Sequence, residues 1–165
     1  MFSIYRAVLY LHVFLGFTYM LAHGASFSVT YRLHHERELE RVRALLELSR
    51  SSFGLMYASL ALMLVGGVTL GFLGHWWSFG WIWASLGLLL AIVVFMALAS
   101  SRHFHRIRKA AGLPYFDGSR EQPAVAPAPL EELHSLLDSG KPHLYTLIGI
   151  GGWGLVLFFM VFKPF

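Results

Sequence analysis

Four long apolar segments constrain the fold of this chain more than any other feature. They cover residues 4–29, 53–73, 81–99 and 143–162, and none of them contains an internal Asp, Glu or Lys. A helix needs about 20 apolar residues to cross the hydrocarbon core of a bilayer. Backbone groups in lipid must bond within their own segment, and the apolar runs are continuous rather than alternating, so strands of a barrel are excluded. The sequence predicts an all-α fold, an integral membrane bundle of four transmembrane helices.

The composition agrees with a membrane protein and excludes several kinds of site. Of the 165 residues, 56% are hydrophobic and 13% are charged, whereas soluble proteins carry roughly 25% charged residues. A soluble globule and a disordered chain are therefore both excluded. Because the chain has no cysteine, disulfides, thiolate metal sites and iron–sulfur clusters are excluded too. The length predicts a single transmembrane domain over residues 1–165.

The distribution of basic residues predicts the orientation of the bundle. Of the 13 Lys and Arg residues, all except Arg6 and Lys163 lie in the two long connecting segments, residues 30–52 and 100–142. Basic loops stay in the cytoplasm, so we expect both loops there and both termini outside a bacterial cytoplasmic (inner) membrane. The N-terminal run also resembles a cleavable signal peptide. Its cleavage would require export of the Arg-rich segment, so the transmembrane interpretation is favoured.

The connecting segments are predicted to lie in water. Residues 34–49 carry apolar side chains at helical spacing, which predicts an extension of the first helix or a short interfacial helix. Residues 101–111 continue the third helix as a basic tail, residues 117–129 form an extended linker, and residues 130–137 form a short helix. Four histidines of these segments are expected to face solvent or lipid: His34, His35, His103 and His105.

A polar seam on the first helix is the most informative pattern for function. At about 100° per residue, the residues within about 40° of His12 form one stripe. They are Tyr5, Gly16, Tyr19, His23, Ser26 and Thr30. Polar side chains are costly in lipid, so the stripe is expected to face the interior of the bundle. His12 and His23 lie about 16 Å apart along the helix axis.

The two histidines of the seam are candidate ligands for haem b or for a metal. Haem b in a helix bundle is held by imidazoles at matching depth on facing helices. His143 is the depth-matched partner predicted for His23, with His103 as a second choice, and Met63 is the nearest soft candidate for His12. Imidazole and thioether ligands also suit copper. In the alternative interpretation no cofactor is bound, and the histidines form hydrogen bonds between helices.

The first helix resembles the opening helix of the CopD-like superfamily of small bacterial multi-span membrane proteins, and the end of the chain is similar to uncharacterised members. The residues that carry the resemblance are Leu11-His12-Val13, Gly16, Tyr19, His23-Gly24 and the closing Met160-Val161-Phe162-Lys163-Pro164. The resemblance implies a compact helical bundle, and some relatives are credited with copper resistance or uptake. Residue by residue, it carries His12 and His23 over as ligands.

Two classes of function follow from these patterns. The first is a binding or electron-transfer module that holds haem b or copper at His12 and His23. The second is a structural or accessory subunit of a larger membrane complex, without a prosthetic group. An enzyme or ion-coupled transporter is disfavoured, because no carboxylate or cation lies at depth in the apolar segments. The expected partners are the lipid bilayer and other membrane subunits; nucleic acid and a soluble substrate are not expected, because the basic residues flank membrane ends.

Overall fold

The computed structural model describes residues 3–165, and four long helices make up most of it. The helices and strands are α1 (Ile4–His35), α2 (Leu39–Leu73), α3 (Gly80–Ala110), β1 (Tyr115–Asp117), β2 (Arg120–Gln122), α4 (Leu130–Asp138) and α5 (Pro142–Phe162). The helices α1, α2, α3 and α5 are each long and apolar enough to cross a membrane. The prediction of an all-α fold with four such helices is confirmed.

The long helices extend well beyond the apolar segments. α1 has 32 residues and α2 has 35, which gives them lengths of about 48 and 52 Å, against a hydrocarbon core of about 30 Å. Most of the connecting segment 30–52 is therefore helical, with a short break at residues 36–38. The Glu36 carboxylate accepts hydrogen bonds from the backbone N–H groups of Arg37 and Glu38 at this break. Residues 34 and 35 end α1, whereas residues 39–49 begin α2, so most of the segment is neither an extension of the first helix nor a separate interfacial helix.

The long helices pack as two pairs. α1 runs along α2, and α3 packs against α5. At one end of the bundle, α2 and α3 are joined by a short turn that includes the 3₁₀ helix Trp76–Ser78; we call this the Trp-rich end. The opposite end, formed by residues 30–52 and 100–142, is the Arg-rich end.

The Arg-rich end has a packed core of its own. It is built from Val29, Leu33, Val42, Leu46, Ile107, Ala110, Ala111, Leu133 and Leu137. Arg108 is buried beside this core, and its guanidinium donates to the carboxylate of Glu47 at 2.6 Å and to the backbone oxygens of Leu46 and Pro114. The connecting segments are therefore not simply solvated. Apolar side chains from the ends of α1, α2 and α3 and from the short helix α4 pack together there.

A β-hairpin overlaps the first part of residues 117–129, the stretch expected to be an extended linker. β1 and β2 pair antiparallel, with Phe116 opposite Glu121, and the turn between them contains Gly118 at φ 62°. Two contacts attach the hairpin to the helices. Arg50 of α2 bonds to Glu121 at 2.6 Å, and the backbone N–H of Phe116 donates to Nδ1 of His105 at 3.4 Å. The linker prediction is corrected here, and His105 is half-buried rather than solvated.

Candidate ligand cavity beside His23

His12 is engaged in a close contact between α1 and α2. Its Nδ1–H donates to the backbone oxygen of Met63 at 2.8 Å. Two glycines of α2 make room for the imidazole: a Cβ on Gly67 would lie 3.0 Å from Cε1 of His12, and a Cβ on Gly66 would lie 3.4 Å from its Cβ. The structure thus brings His12 and Met63 together, but through the Met63 carbonyl. The Met63 sulfur lies against Gly16, one turn further along α1.

His23 is in a different situation on the same helix. Only 8% of the residue is exposed, and its Nδ1 is buried without a hydrogen-bond partner among the described residues. The imidazole stacks on Tyr19, with ring centroids 5.4 Å apart, and meets the edge of Phe27 at 4.6 Å. Across from it lies Gly149 of α5, where a Cβ would be 3.3 Å from Nε2 of His23. A buried, unpartnered ring nitrogen is costly, so it marks a position where a ligand could complete the structure.

His23 lines a cavity between the two helix pairs. The cavity has a volume of about 460 Å³, within the roughly 300–1,000 Å³ range of small-molecule sites. Its deep end is apolar, with Leu60, Ile92 and Val93, and its middle is lined by His23 and Met96. The other end, at the Arg-rich end of the bundle, is lined by Arg50, His105, Arg108, Phe116 and Gly118. The lining residues therefore change from apolar ones near the middle of the helices to basic ones at the Arg-rich end, which we call the mouth; there Arg50 pairs with Glu121 and Arg108 with Glu47.

Two widened helical turns border this region. α3 contains a π-helical turn at Met96–Ser100, and Met96, Ala97 and Ser100 line the cavity. α5 contains another at Leu147–Gly151, which includes the Gly149 that faces His23. π-Helical turns inside α-helices are rare and occur frequently at functional sites. Both turns on the α3–α5 pair thus lie next to the cavity.

The other predicted partners of His23 lie elsewhere. His143 is exposed, and its Nδ1 lies 3.0 Å from the hydroxyl of Tyr31 on α1. His143 precedes Gly149 by six residues, or about 9 Å along a helix, so α5 presents glycine and not imidazole at the depth of His23. His103 is half-buried against Gly140, where a Cβ would be 3.2 Å from its Nε2. The structure therefore gives His23 no second imidazole at its own depth.

Sequence reasoning missed the residues at the cavity mouth. Arg50 and Arg108 contributed only to the charge count, and His105 was expected to be solvated. Their role depends on the hairpin, which carries Phe116 and Gly118 to the same place. A usable signal was Gly118-Ser119, since a two-residue loop with glycine at its first position is typical of tight hairpin turns.

Neither a multi-residue metal cluster nor a known relative identifies the site. Within residues 3–165, no group of three or more His, Asp or Glu side chains is placed to hold a metal ion. Comparison of the chain with protein-family models, with curated proteins and with solved structures gives no match. The function must therefore be argued from the cavity and its residues.

Proposed function

We propose that the chain is a multi-pass protein of the bacterial cytoplasmic membrane, with the Arg-rich end in the cytoplasm and both termini outside. Four helices of sufficient length and apolarity support the insertion. The orientation is supported by the basic residues, which are concentrated in segments 30–52 and 100–142. The resemblance to CopD-like proteins favours the same architecture.

We further propose that the protein binds haem b in the cavity, with His23 as the axial ligand. One observation carries this proposal: the imidazole of His23 is buried, lacks a partner at Nδ1 and borders a largely apolar cavity of about 460 Å³. Histidine is a common protein ligand of haem iron, and apolar walls suit the macrocycle. Gly149 of α5 packs directly against the His23 and Phe27 rings and does not itself line the cavity.

The cavity favours haem over a copper ion held by side chains alone. A copper site needs several imidazole or sulfur ligands that converge on one point. His12 already uses Nδ1 for the Met63 carbonyl, the Met63 sulfur packs against Gly16, and His23 lies about 16 Å from His12 along the axis. Haem b needs only one imidazole from the chain in a suitable cavity. When bound, it supplies one-electron redox chemistry, while His23 orients it and the apolar walls exclude water.

Absorption spectroscopy of the protein purified in detergent from haem-replete cells tests this proposal. The wild type is expected to show a Soret band at about one haem per chain, and His23→Ala is expected to lose it. Two matched controls are His12→Ala and His143→Ala, because neither imidazole lines the cavity and each has a partner within the protein. Both are expected to keep the band. A wild type without haem, or equal loss in all three variants, would contradict the proposal.

A colourless but folded protein would favour the accessory-subunit interpretation. In that case the protein is expected to co-purify with a larger membrane complex under mild detergent, and His23→Ala should leave the complex intact. Quantitative mass spectrometry of the purified fraction measures this outcome. Substoichiometric, variable partners would argue against a dedicated subunit.

A further inference from the structure

The cavity has all of its charge at one end. Arg50, His105 and Arg108 line the mouth; no Asp or Glu of the described chain lines the cavity itself, while Arg50 pairs with Glu121 and Arg108 with Glu47 beside it. The deep end offers only apolar side chains around Leu60 and Ile92. Such a gradient fits a flat or elongated ligand whose body is apolar and whose mouth-facing end is anionic, because a buried anion requires a paired cation or donor.

The two arginines at the mouth differ in what they have left to offer. Arg108 is saturated: its Nε, Nη1 and Nη2 donate to Pro114, Leu46 and Glu47 respectively. Arg50 makes one bond, from Nη2 to the Glu121 carboxylate at 2.6 Å. Its Nε and Nη1 have no partner among the described residues. Arg50 is therefore the arginine that can bind an anion without breaking the packing of the Arg-rich end.

His105 supplies a second donor at the mouth. Its Nδ1 accepts the backbone N–H of Phe116 at 3.4 Å, and its ring lies 5.4 Å from the Phe116 ring. Because Nδ1 is the acceptor, the proton of the neutral imidazole is on Nε2. The hairpin thus fixes the tautomer of His105 as a hydrogen-bond donor.

Arg50 lies within one helical turn of His23 along the bundle axis. The hydroxyl of Ser26 on α1 lies 3.2 Å from that of Ser49 and 3.4 Å from that of Ser52. Arg50 is therefore at the level of Ser26, which follows His23 by three residues, or about 4.5 Å along the axis. A ligand at the level of His23 would therefore lie within one helical turn of Arg50 along the axis.

We propose that Arg50, assisted by His105, is a carboxylate-binding site that orients a porphyrin with its propionates toward the Arg-rich end. The proposal rests on the proposed haem-binding function for the position of the macrocycle, but it does not require that His23 binds iron. Arginine binds carboxylates through paired, charge-assisted hydrogen bonds. The apolar edge of the porphyrin then faces the deep end of the cavity.

Metal-free porphyrins separate this inference from iron binding. The probes are protoporphyrin IX, which carries two carboxylates, and its dimethyl ester, which carries none; binding to the detergent-solubilised protein is followed by fluorescence. Hydrogen bonds to charged groups contribute about 1.5–3 kcal/mol, so we expect the wild type to bind the diacid at least about tenfold more tightly than Arg50→Gln does, whereas the diester should bind both about equally. Comparing the diacid-to-diester ratio between variants cancels the different partition of the two probes into micelles.

Two further variants locate the effect. Arg50→Lys keeps the positive charge and is expected to keep most of the preference for the diacid. Arg41→Gln removes an equal charge from an exposed residue that pairs with Glu38 and does not line the cavity, so it should keep the full preference. If Arg50→Gln does not fold, Arg50→Ala takes its place in the same comparison with Arg41→Gln, and it is likewise expected to lose the preference for the diacid.

The outcomes distinguish this inference from the proposed function. If the wild type shows a Soret band that depends on His23 but no preference for the diacid, the inference is overturned and the haem proposal stands. If the preference depends on Arg50 but haem is not bound at His23, the reverse holds. If the wild type binds neither porphyrin, both are overturned. A preference that survives in Arg50→Gln also overturns the inference.

Discussion

Two regions of α1 hold a histidine on the same stripe, and they differ in every physical respect. Around His12, α2 presents Gly66 and Gly67, so the helices approach closely and the imidazole donates to the Met63 carbonyl. Around His23, the facing helices leave a cavity and the imidazole has an unpartnered nitrogen. The residue type is the same. The difference is made by the partner helix, which shows that a histidine in an apolar helix acquires its role from what lies opposite.

The largest expected effect tests whether the His12 contact is close-packed and the His23 region is loose. Gly67→Val should destabilise the protein by about 1–3 kcal/mol, the usual cost of overpacking, because the His12 ring is held in place by its hydrogen bond. A Cβ at Gly149 would meet the Phe27 ring tip more closely than a Cβ at Gly67 meets His12. Gly149→Val therefore costs less only if the Phe27 ring turns into the cavity that it lines.

Unfolding in detergent, followed by circular dichroism, measures both variants. Gly87→Val on α3 is the matched control, because a Cβ there meets no atom within 4 Å and the variant reports only the change in helix propensity. Equal losses of stability at positions 67 and 149, each after subtraction of the Gly87→Val value, would show that the two regions do not differ in packing.

An intermediate effect is expected for the rate at which a water-borne reagent labels single cysteines in the cavity and in the close-packed part of the bundle. The chain has no cysteine, so single Ser→Cys variants can be labelled with a maleimide without background. Ser100 lines the cavity, whereas Ser59 on α2 is 2% exposed and donates to the Leu55 carbonyl. If modification at position 59 requires a local opening of about 1.4 kcal/mol, its rate falls about tenfold below that at position 100.

The rates of Ser100→Cys and Ser59→Cys, measured in detergent and normalised to the unfolded protein, check this expectation. Ser51→Cys, exposed near the Arg-rich end of α2, gives the upper limit. Similar slow rates at positions 100 and 59 would mean that the cavity is closed to water. The cavity-lining residue would then be no more accessible than the close-packed one, contrary to the expectation.

The sequence predicts the surroundings of His12 better than those of His23. Four continuous apolar runs predict the helices, because length and hydropathy alone decide whether a segment can cross a bilayer. The 3.6-residue period places His12 and His23 on one stripe. It does not predict that His143 misses the depth of His23, because that offset depends on where α5 begins and on its π-helical turn.

The residues at the cavity mouth could not be predicted from local sequence patterns, for a related reason. Arg50, His105 and Phe116 meet only after a three-residue hairpin strand pairs with another, and strands this short show no alternation to detect. The basic residues of the loops were informative about orientation as a group. Which of them becomes saturated, as Arg108 does, and which keeps free donors, as Arg50 does, is decided by tertiary contacts such as those with Glu47 and Glu121.

The smallest expected effect concerns haem-free protein, in which substitution of the two histidines by Leu should change the free energy of unfolding with opposite sign. His12→Leu should cost about 1 kcal/mol, since it removes one satisfied hydrogen bond. His23→Leu should be neutral or slightly stabilising, because it removes a buried nitrogen that has no partner. His35→Leu, at an exposed residue at the end of α1, is the control for the added apolar side chain.

Haem should reverse this sign at one histidine only. A ligand at about 100 times its Kd stabilises the state that binds it by about 2.7 kcal/mol. In haem-loaded protein the wild type gains this amount and His12→Leu gains it equally, while His23→Leu does not, so the latter becomes the less stable variant. Thermal unfolding of each protein with and without haem measures the change. If His23→Leu is destabilising without haem, the imidazole already has a structural partner, and the contrast between the two regions of α1 fails at its central residue.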